Sequence, residues 1–169
     1  FYPEFYIKNY SYYTGVANAS KLVLHKVLNQ SGNGYTSNII EALSNVIENK
    51  NEHHILSICL SIGSIRSNIN ESNSINRIID EIIDNGIMVI IAAGNNGIKG
   101  SNPLNSLAVN KNTIVVGAIN DQDQLTSYSS MGKIINSIHS KPDLLAPGGS
   151  SNPSHRSVIG ADIYNGTTA

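Results

Sequence analysis

The sequence predicts an α/β architecture, a mainly parallel β-sheet flanked by helices. Three observations carry that prediction. Apolar runs rich in branched residues alternate with segments whose apolar residues recur at helical spacing. The order strand, helix, strand, helix, strand fits within about a hundred residues, as expected of parallel strands joined by helical crossovers. The strand-like runs stop at short segments of Gly, Ser and Asn.

Taken in order, Lys21–Leu28 reads as a short strand ending in the turn signal Asn29-Gln30-Ser31-Gly32-Asn33-Gly34. Ile39, Ile40, Leu43, Val46 and Ile47 then share one helical face, with Ser37 or Asn38 as N-cap and Glu41 in the first turn. Ile55–Ile62 is an apolar run broken by small residues, as in a strand buried on both faces, and Cys59 within it reads as a core residue. A second helix is expected from Ser74 to Asp84, where Ile75, Ile78, Ile79, Ile82 and Ile83 form the stripe and Asn85-Gly86 the stop. Ile87–Ala93 is the strongest strand signal and halts at Gly94-Asn95-Asn96-Gly97. Thr113–Ile119 is another buried strand, with Leu125–Ser130 pairing near it, and Leu144–Gly149 is extended. No internal repeat or linker divides the chain.

The chain has 169 residues, and 11 Lys and Arg against 12 Asp and Glu give a net charge of −1. That balance offers no electrostatic footprint for nucleic acid or an anionic membrane. One Cys excludes a disulfide scaffold and a Cys-rich zinc site. No apolar run reaches the roughly 20 residues that span a bilayer. Phe1-Tyr2-Pro3-Glu4 does not read as a signal peptide, and a first residue other than Met fits a mature product, an excised domain or a fragment.

Open parallel sheets bind ligands beyond the carboxyl ends of their strands. Those ends are expected at Gly32–Gly34, Ser61–Ser64, Gly94–Gly97 and the turn after Ala118. Dinucleotide binding fits poorly: Ser37 stands where a third Gly belongs, and no acidic residue ends the next strand at Ile62. A phosphate loop fails because no Gly-Lys-Ser/Thr sequence occurs.

Peptide hydrolysis fits six segments at once. They are Gly15-Val16-Ala17 with Leu22–Leu28 and Gly32-Asn33-Gly34; Leu60-Ser61-Ile62-Gly63; Ile90-Ile91-Ala92-Ala93-Gly94-Asn95-Asn96-Gly97; Ile114-Val115-Val116-Gly117-Ala118 followed by Thr126-Ser127-Tyr128-Ser129-Ser130-Met131-Gly132; Lys141-Pro142-Asp143-Leu144-Leu145-Ala146-Pro147-Gly148; and Asn165-Gly166-Thr167-Thr168-Ala169. In order and spacing they resemble the central portion of the catalytic domain of the subtilisin-like serine proteases, the subtilases. The resemblance implies a three-layer, mainly parallel subtilisin-like sheet and, for residues 1–169, a partial peptidase domain. Its Asp and His motifs would fall before Phe1, and the helix after the nucleophile would fall beyond Ala169.

By resemblance, the Asn95 amide would donate to the oxyanion, and Thr168 would occupy the position of the nucleophilic Ser. The Thr β-methyl restricts χ1 and crowds the path of attack, so an internal Thr there is expected to be weak or inactive. Gly32, Asn33 and Gly34 on one side and Ser61, Ile62 and Gly63 on the other would clasp an extended peptide through main-chain bonds. Ala92, Ala93 and Gly94 would wall the pocket for the side chain before the scissile bond, leaving room for a large apolar residue. No catalytic metal or cofactor is implied. Family members often bind structural calcium before this "G-V-A" segment, where Asn9 could be one ligand, but Lys8–Thr14 has no carboxylate.

The partner implied is a peptide or protein substrate in extended conformation, and the family location is secreted or cell-surface. The alternative is a pseudoprotease that binds peptide or partner through the same cleft. His25 falls within the first expected strand, His53 and His54 precede the second, and His139 and His155 sit in polar loops; each reads as surface or structural. Glu41, Glu48, Asp80 and Glu81 read as solvated, and Asp143 as a structural hydrogen-bonder.

Overall fold

Branched apolar runs bury well only when strands pair side by side and a helix covers them. In the computed structural model of the chain, four such runs pair in parallel in the order β1 (Ser57–Leu60), β2 (Met88–Ala92), β3 (Ile114–Ile119) and β6 (Leu144–Pro147). The structure describes residues 16–63, 69–97, 104–134 and 138–149. Helices α1 (Thr36–Glu48) and α2 (Lys50–His53) precede β1, and α3 (Ile69–Asp84) joins β1 to β2. A 3₁₀ turn, Ser106–Val109, leads towards β3, and β4 (Gly132–Lys133) and β5 (Ser140–Lys141) form a separate antiparallel pair. No helix among the described residues is long and apolar enough to cross a membrane.

Packing separates Phe1–Leu24 with Ile159–Ala169 from His25–Val158. Of the first unit, the described part is a turn closed by Ser20 N–H on the Ala17 carbonyl at 3.0 Å, followed by exposed Leu22, Val23 and Leu24. The second unit holds the sheet and its helices.

Strand register explains the core. Ile58 lies beside Val89, Leu60 beside Ile91, and Ile91 beside Val115, so these residues share one face of the sheet. Leu43 and Val46 of α1 and Ile75, Ile78, Ile79 and Ile82 of α3 pack with them in one buried cluster. α3 stops in a paired 6→1 and 5→2 pattern: Ile87 N–H reaches the Ile82 carbonyl at 3.2 Å and Gly86 N–H the Ile83 carbonyl at 2.8 Å. Ile79 is fully buried at the centre of this layer. Ile79→Ala is expected to cost about 2–5 kcal/mol through lost burial and an unfilled cavity. A denaturant titration checks it, and a midpoint equal to wild type would contradict the packing.

A buried cation in β5 ties the segment that leads into β6 to the start of β3. The Lys141 ammonium donates to the Thr113 carbonyl at 2.7 Å and to Asp143 Oδ2 at 2.6 Å, while Val115 N–H donates to the same oxygen at 2.7 Å. Burial alone would raise the Asp143 carboxyl, but the hydrogen bonds from Lys141 and Val115 and the charge of Lys141 hold it below its ordinary value. The structural role expected for Asp143 is the one observed.

Several local expectations change. Lys21–Leu28 forms no strand, and His25 therefore lies in none. The segment has no ladder partner among the described residues, and Leu22 and Leu24 are exposed. Helix α1 starts at Thr36 with Tyr35 as N-cap, and no side chain caps it. Ser37 and Asn38 are already inside the helix, where the Ser37 hydroxyl bonds the Asn38 carboxamide at 3.4 Å. α3 begins at Ile69 rather than Ser74, because Asn and Ser weaken a helix without forbidding it. Among the described residues β1 pairs on one side only, its residues alternate between half-buried and exposed, and Cys59 is exposed rather than core. Asp80 is anchored, accepting from Asn110 Nδ2 at 3.0 Å and Asn112 Nδ2 at 3.3 Å.

Candidate active site

Parallel pairing brings the carboxyl ends of β1 and β2 to the same side of the sheet, so Ser61–Gly63 and Ala93–Gly97 emerge beside one another. β2 runs straight into the loop that carries Asn95. Ala93 keeps the sheet pattern, its N–H bonding the Val116 carbonyl at 2.9 Å. Gly94 then turns the chain at φ +111, a conformation that a side chain opposes. A Cβ at Gly94 would also sit 3.0 Å from Ser130 Oγ.

The loop is braced from a distant turn. Ser130 N–H donates to the Gly94 carbonyl at 2.9 Å, and Ser130 Oγ accepts from Asn96 N–H at 3.0 Å. Gly97 N–H bonds the Tyr128 carbonyl at 2.8 Å. The bracing turn is itself fixed to β3, since Thr126 N–H reaches the Ala118 carbonyl at 3.0 Å and Ser129 Oγ accepts from Ala118 N–H at 2.9 Å. Ser129 and Ser130 are buried, whereas Asn95 between its braced neighbours is exposed. The bracing fixes the backbone on either side of Asn95, and a carboxamide presented from a fixed loop is a group that can donate to an oxygen developing negative charge.

Asn105 carried no functional role in the sequence, yet it joins the two strand ends. Its Nδ2 donates to the Ile62 carbonyl at 2.8 Å and to the Ala92 carbonyl at 3.1 Å. Its Oδ1 accepts from Leu107 N–H at 3.1 Å, and its own N–H reaches the Ala93 carbonyl at 2.7 Å. The local signal was an Asn before the helical run Ser106-Leu107-Ala108-Val109, which marks a cap. The bridge between strands had no local signal at all.

Gly32–Gly34 lie in a self-bonded turn rather than on a strand. Asn29 Oδ1 accepts from Ser31 N–H at 2.9 Å and from Asn33 N–H at 3.0 Å, and Asn29 N–H bonds the Asn33 carbonyl at 2.8 Å. Asn33 and Gly34 line an open cavity of about 400 Å³ with Lys26, Leu28, Tyr35 and Asn38. Thr168, Asn9 and His155 lie outside the described residues. His53 and His54 precede β1 at its amino end, opposite the loops just described. Among the described residues, no group of three or more His, Cys, Asp or Glu is placed to hold a metal ion.

Comparison with known proteins follows the same lines. The profile of a family described as the subtilase family matches residues 6–169. Subtilisin-like protease 2 of Pseudogymnoascus destructans is 36% identical over 135 residues, covering 79% of this chain and 30% of that protein. The serine protease AprX of Bacillus subtilis is 32% identical over 148 residues, covering 80% and 33%. In three dimensions, the S41 psychrophilic protease superposes with a TM-score of 0.70 at 26% identity, over 92% of this chain and 50% of that one. Sphericase gives 0.65 at 24% identity, over 86% and 51%. The chain spans about a third of the length of these two curated relatives.

Proposed function

Because the chain belongs to the subtilase family of serine proteases, we propose that it supplies the oxyanion-holding and peptide-binding part of a serine endopeptidase. The observation that carries this reading is the presentation of Asn95: exposed, at the carboxyl end of β2, on a loop braced through Gly94 and Asn96. In the proposed reaction a hydroxyl attacks the scissile carbonyl while a histidine base, oriented by an aspartate, takes its proton. The base and its orienting carboxylate come from outside the described residues. The oxyanion formed on attack accepts a hydrogen bond from the Asn95 carboxamide. Collapse of the tetrahedral species expels the amine, which takes the proton held by the histidine, and leaves an acyl-enzyme that water then hydrolyses with the same histidine as base. An extended peptide lies along Ser61–Gly63, and the turn at Gly32–Gly34, in place of the expected strand edge, supplies the second set of main-chain contacts.

One feature of the sequence favours a second reading. Thr168 stands in the nucleophile segment, and its β-methyl hinders attack. In that reading the cleft binds peptide without cutting it.

Labelling of the full-length gene product by a fluorophosphonate separates the two. Covalent labelling of the native protein that Thr168→Ala abolishes supports the endopeptidase. Labelling that arises only in Thr168→Ser, with the native protein silent, supports the binding protein. Silence of both overturns the proposed chemistry.

A further inference from the structure

We propose that Asn105 decides which residue the cleft accepts immediately before the scissile bond: its carboxamide fills the gap between the ends of β1 and β2, so the pocket takes Gly, Ala or Ser and excludes large apolar side chains. The inference deepens the peptide-cleft reading above and rests on it.

Beyond the last ladder pair, two parallel strands must either be bridged or splay apart. Here one NH₂ group does the bridging, spending both hydrogens on Ile62 O and Ala92 O. These carbonyls belong to the two segments, Ser61–Gly63 and Ala92–Gly94, that would form the walls of the pocket. Asn105 is only 7% exposed, so its amide sits inside the gap rather than over it. Gly63 gives an independent measure of how full the gap is. A Cβ built there would lie 2.6 Å from Asn105 Oδ1, 2.7 Å from Cγ and 2.9 Å from Nδ2, closer than atoms can pack. From the other wall, a Cβ at Gly94 would come within 3.1 Å of Asn105 N.

Ala92 and Ala93 alone suggest space for a large apolar side chain, but the space beside them is occupied. For such a side chain to enter, the carboxamide has to leave, taking its donor from two part-buried carbonyls. Each such loss weakens binding roughly tenfold or more. A side chain no longer than a methyl or hydroxymethyl group needs no such displacement.

The test uses the full chain and two product-like peptides, acetyl-tetraalanine and acetyl-trialanyl-phenylalanine, titrated by calorimetry. Wild type is expected to bind the Ala-ended peptide about 10-fold more tightly or better, and Asn105→Ala to lose or reverse that ratio. A merely structural Asn105 would change stability and leave the ratio alone, and that result overturns the proposal. So does wild type that binds both peptides equally. Binding of neither peptide by wild type overturns the cleft reading itself, and the specificity with it.

A thermal-melt cycle tests the filled gap without any peptide. Gly63→Ala should lower the melting temperature of wild type by about 5 °C and cost clearly less beside Asn105→Ala. Equal losses in the two backgrounds overturn the placement. Should Asn105→Ala fail to fold, Asn105→Ser replaces it in both experiments, since a Ser hydroxyl can still cap Leu107 N–H while leaving the gap open.

Discussion

If the full-length gene product is the endopeptidase proposed above, replacing Asn95 with Ala should lower its kcat by about 10²–10³, the size of the loss known for removing such a donor from subtilisin. The reason lies in when the bond forms. A planar carbonyl in the ground state places its oxygen short of the donor, and only the tetrahedral species carries the charge that the carboxamide meets. KM should therefore stay near its wild-type value while kcat falls. Steady-state kinetics on a peptide anilide separates the two constants. A kcat within twofold of wild type would remove Asn95 from the oxyanion hole, and a rise in KM alone would make it a substrate-binding residue. The variant should fold normally, because the loop is held through Ser130 to backbone groups of Gly94 and Asn96 and not through the Asn95 side chain.

Asp143→Ala is expected to destabilise the chain by about 2 kcal/mol. Breaking a fully buried ion pair costs about 3–5 kcal/mol because a charge is left uncompensated. The Lys141 side chain is 3% exposed, but that of Asp143 is 39% exposed, so solvent screens part of the loss. The pH dependence is a second signature. The folded carboxyl titrates below its ordinary value of 3.8, so the unfolded chain binds the proton more readily and acid favours unfolding. The stabilisation is complete above about pH 4 and is lost as pH falls through the folded value. Thermal melts from pH 7 to pH 3 should show an acid-side decline that is shallower in Asp143→Ala. Parallel curves for the two proteins would mean that Asp143 does not carry the effect.

What the sequence made legible were features with local causes. The stripe of five isoleucines on α3 and the run Met88–Ala92 are fixed by periodicity alone, and both elements form. The loop after β2 was legible because Gly94 and Gly97 bracket two Asn residues at a strand end. The misplaced features depend on partners far along the chain. Lys21–Leu28 has strand composition, but composition cannot supply the neighbour that a ladder requires. Cys59 looks like core until β1 proves to have a strand on one side only among the described residues. Asn105 is the clearest case, since its partner Ile62 lies 43 positions earlier. A capping Asn and a bridging Asn are written with the same letter, and only tertiary pairing tells them apart.

The Ser130 brace also bears on the order in which the molecule assembles. Asn96 and Ser130 are 34 positions apart, so the Ser130 brace on the loop holding Asn95 cannot form until that length of chain has been ordered. Closing so long a loop costs entropy that local contacts do not return. During synthesis β1, α3 and β2 emerge first, and they can bury their isoleucines against α1 while Asn95 is still unfixed. The brace forms only when the turn Thr126–Ser130 is docked on β3, with Ser130 N–H on the Gly94 carbonyl. Before that docking, the proposed oxyanion loop lacks the Ser130 brace that the folded structure gives it.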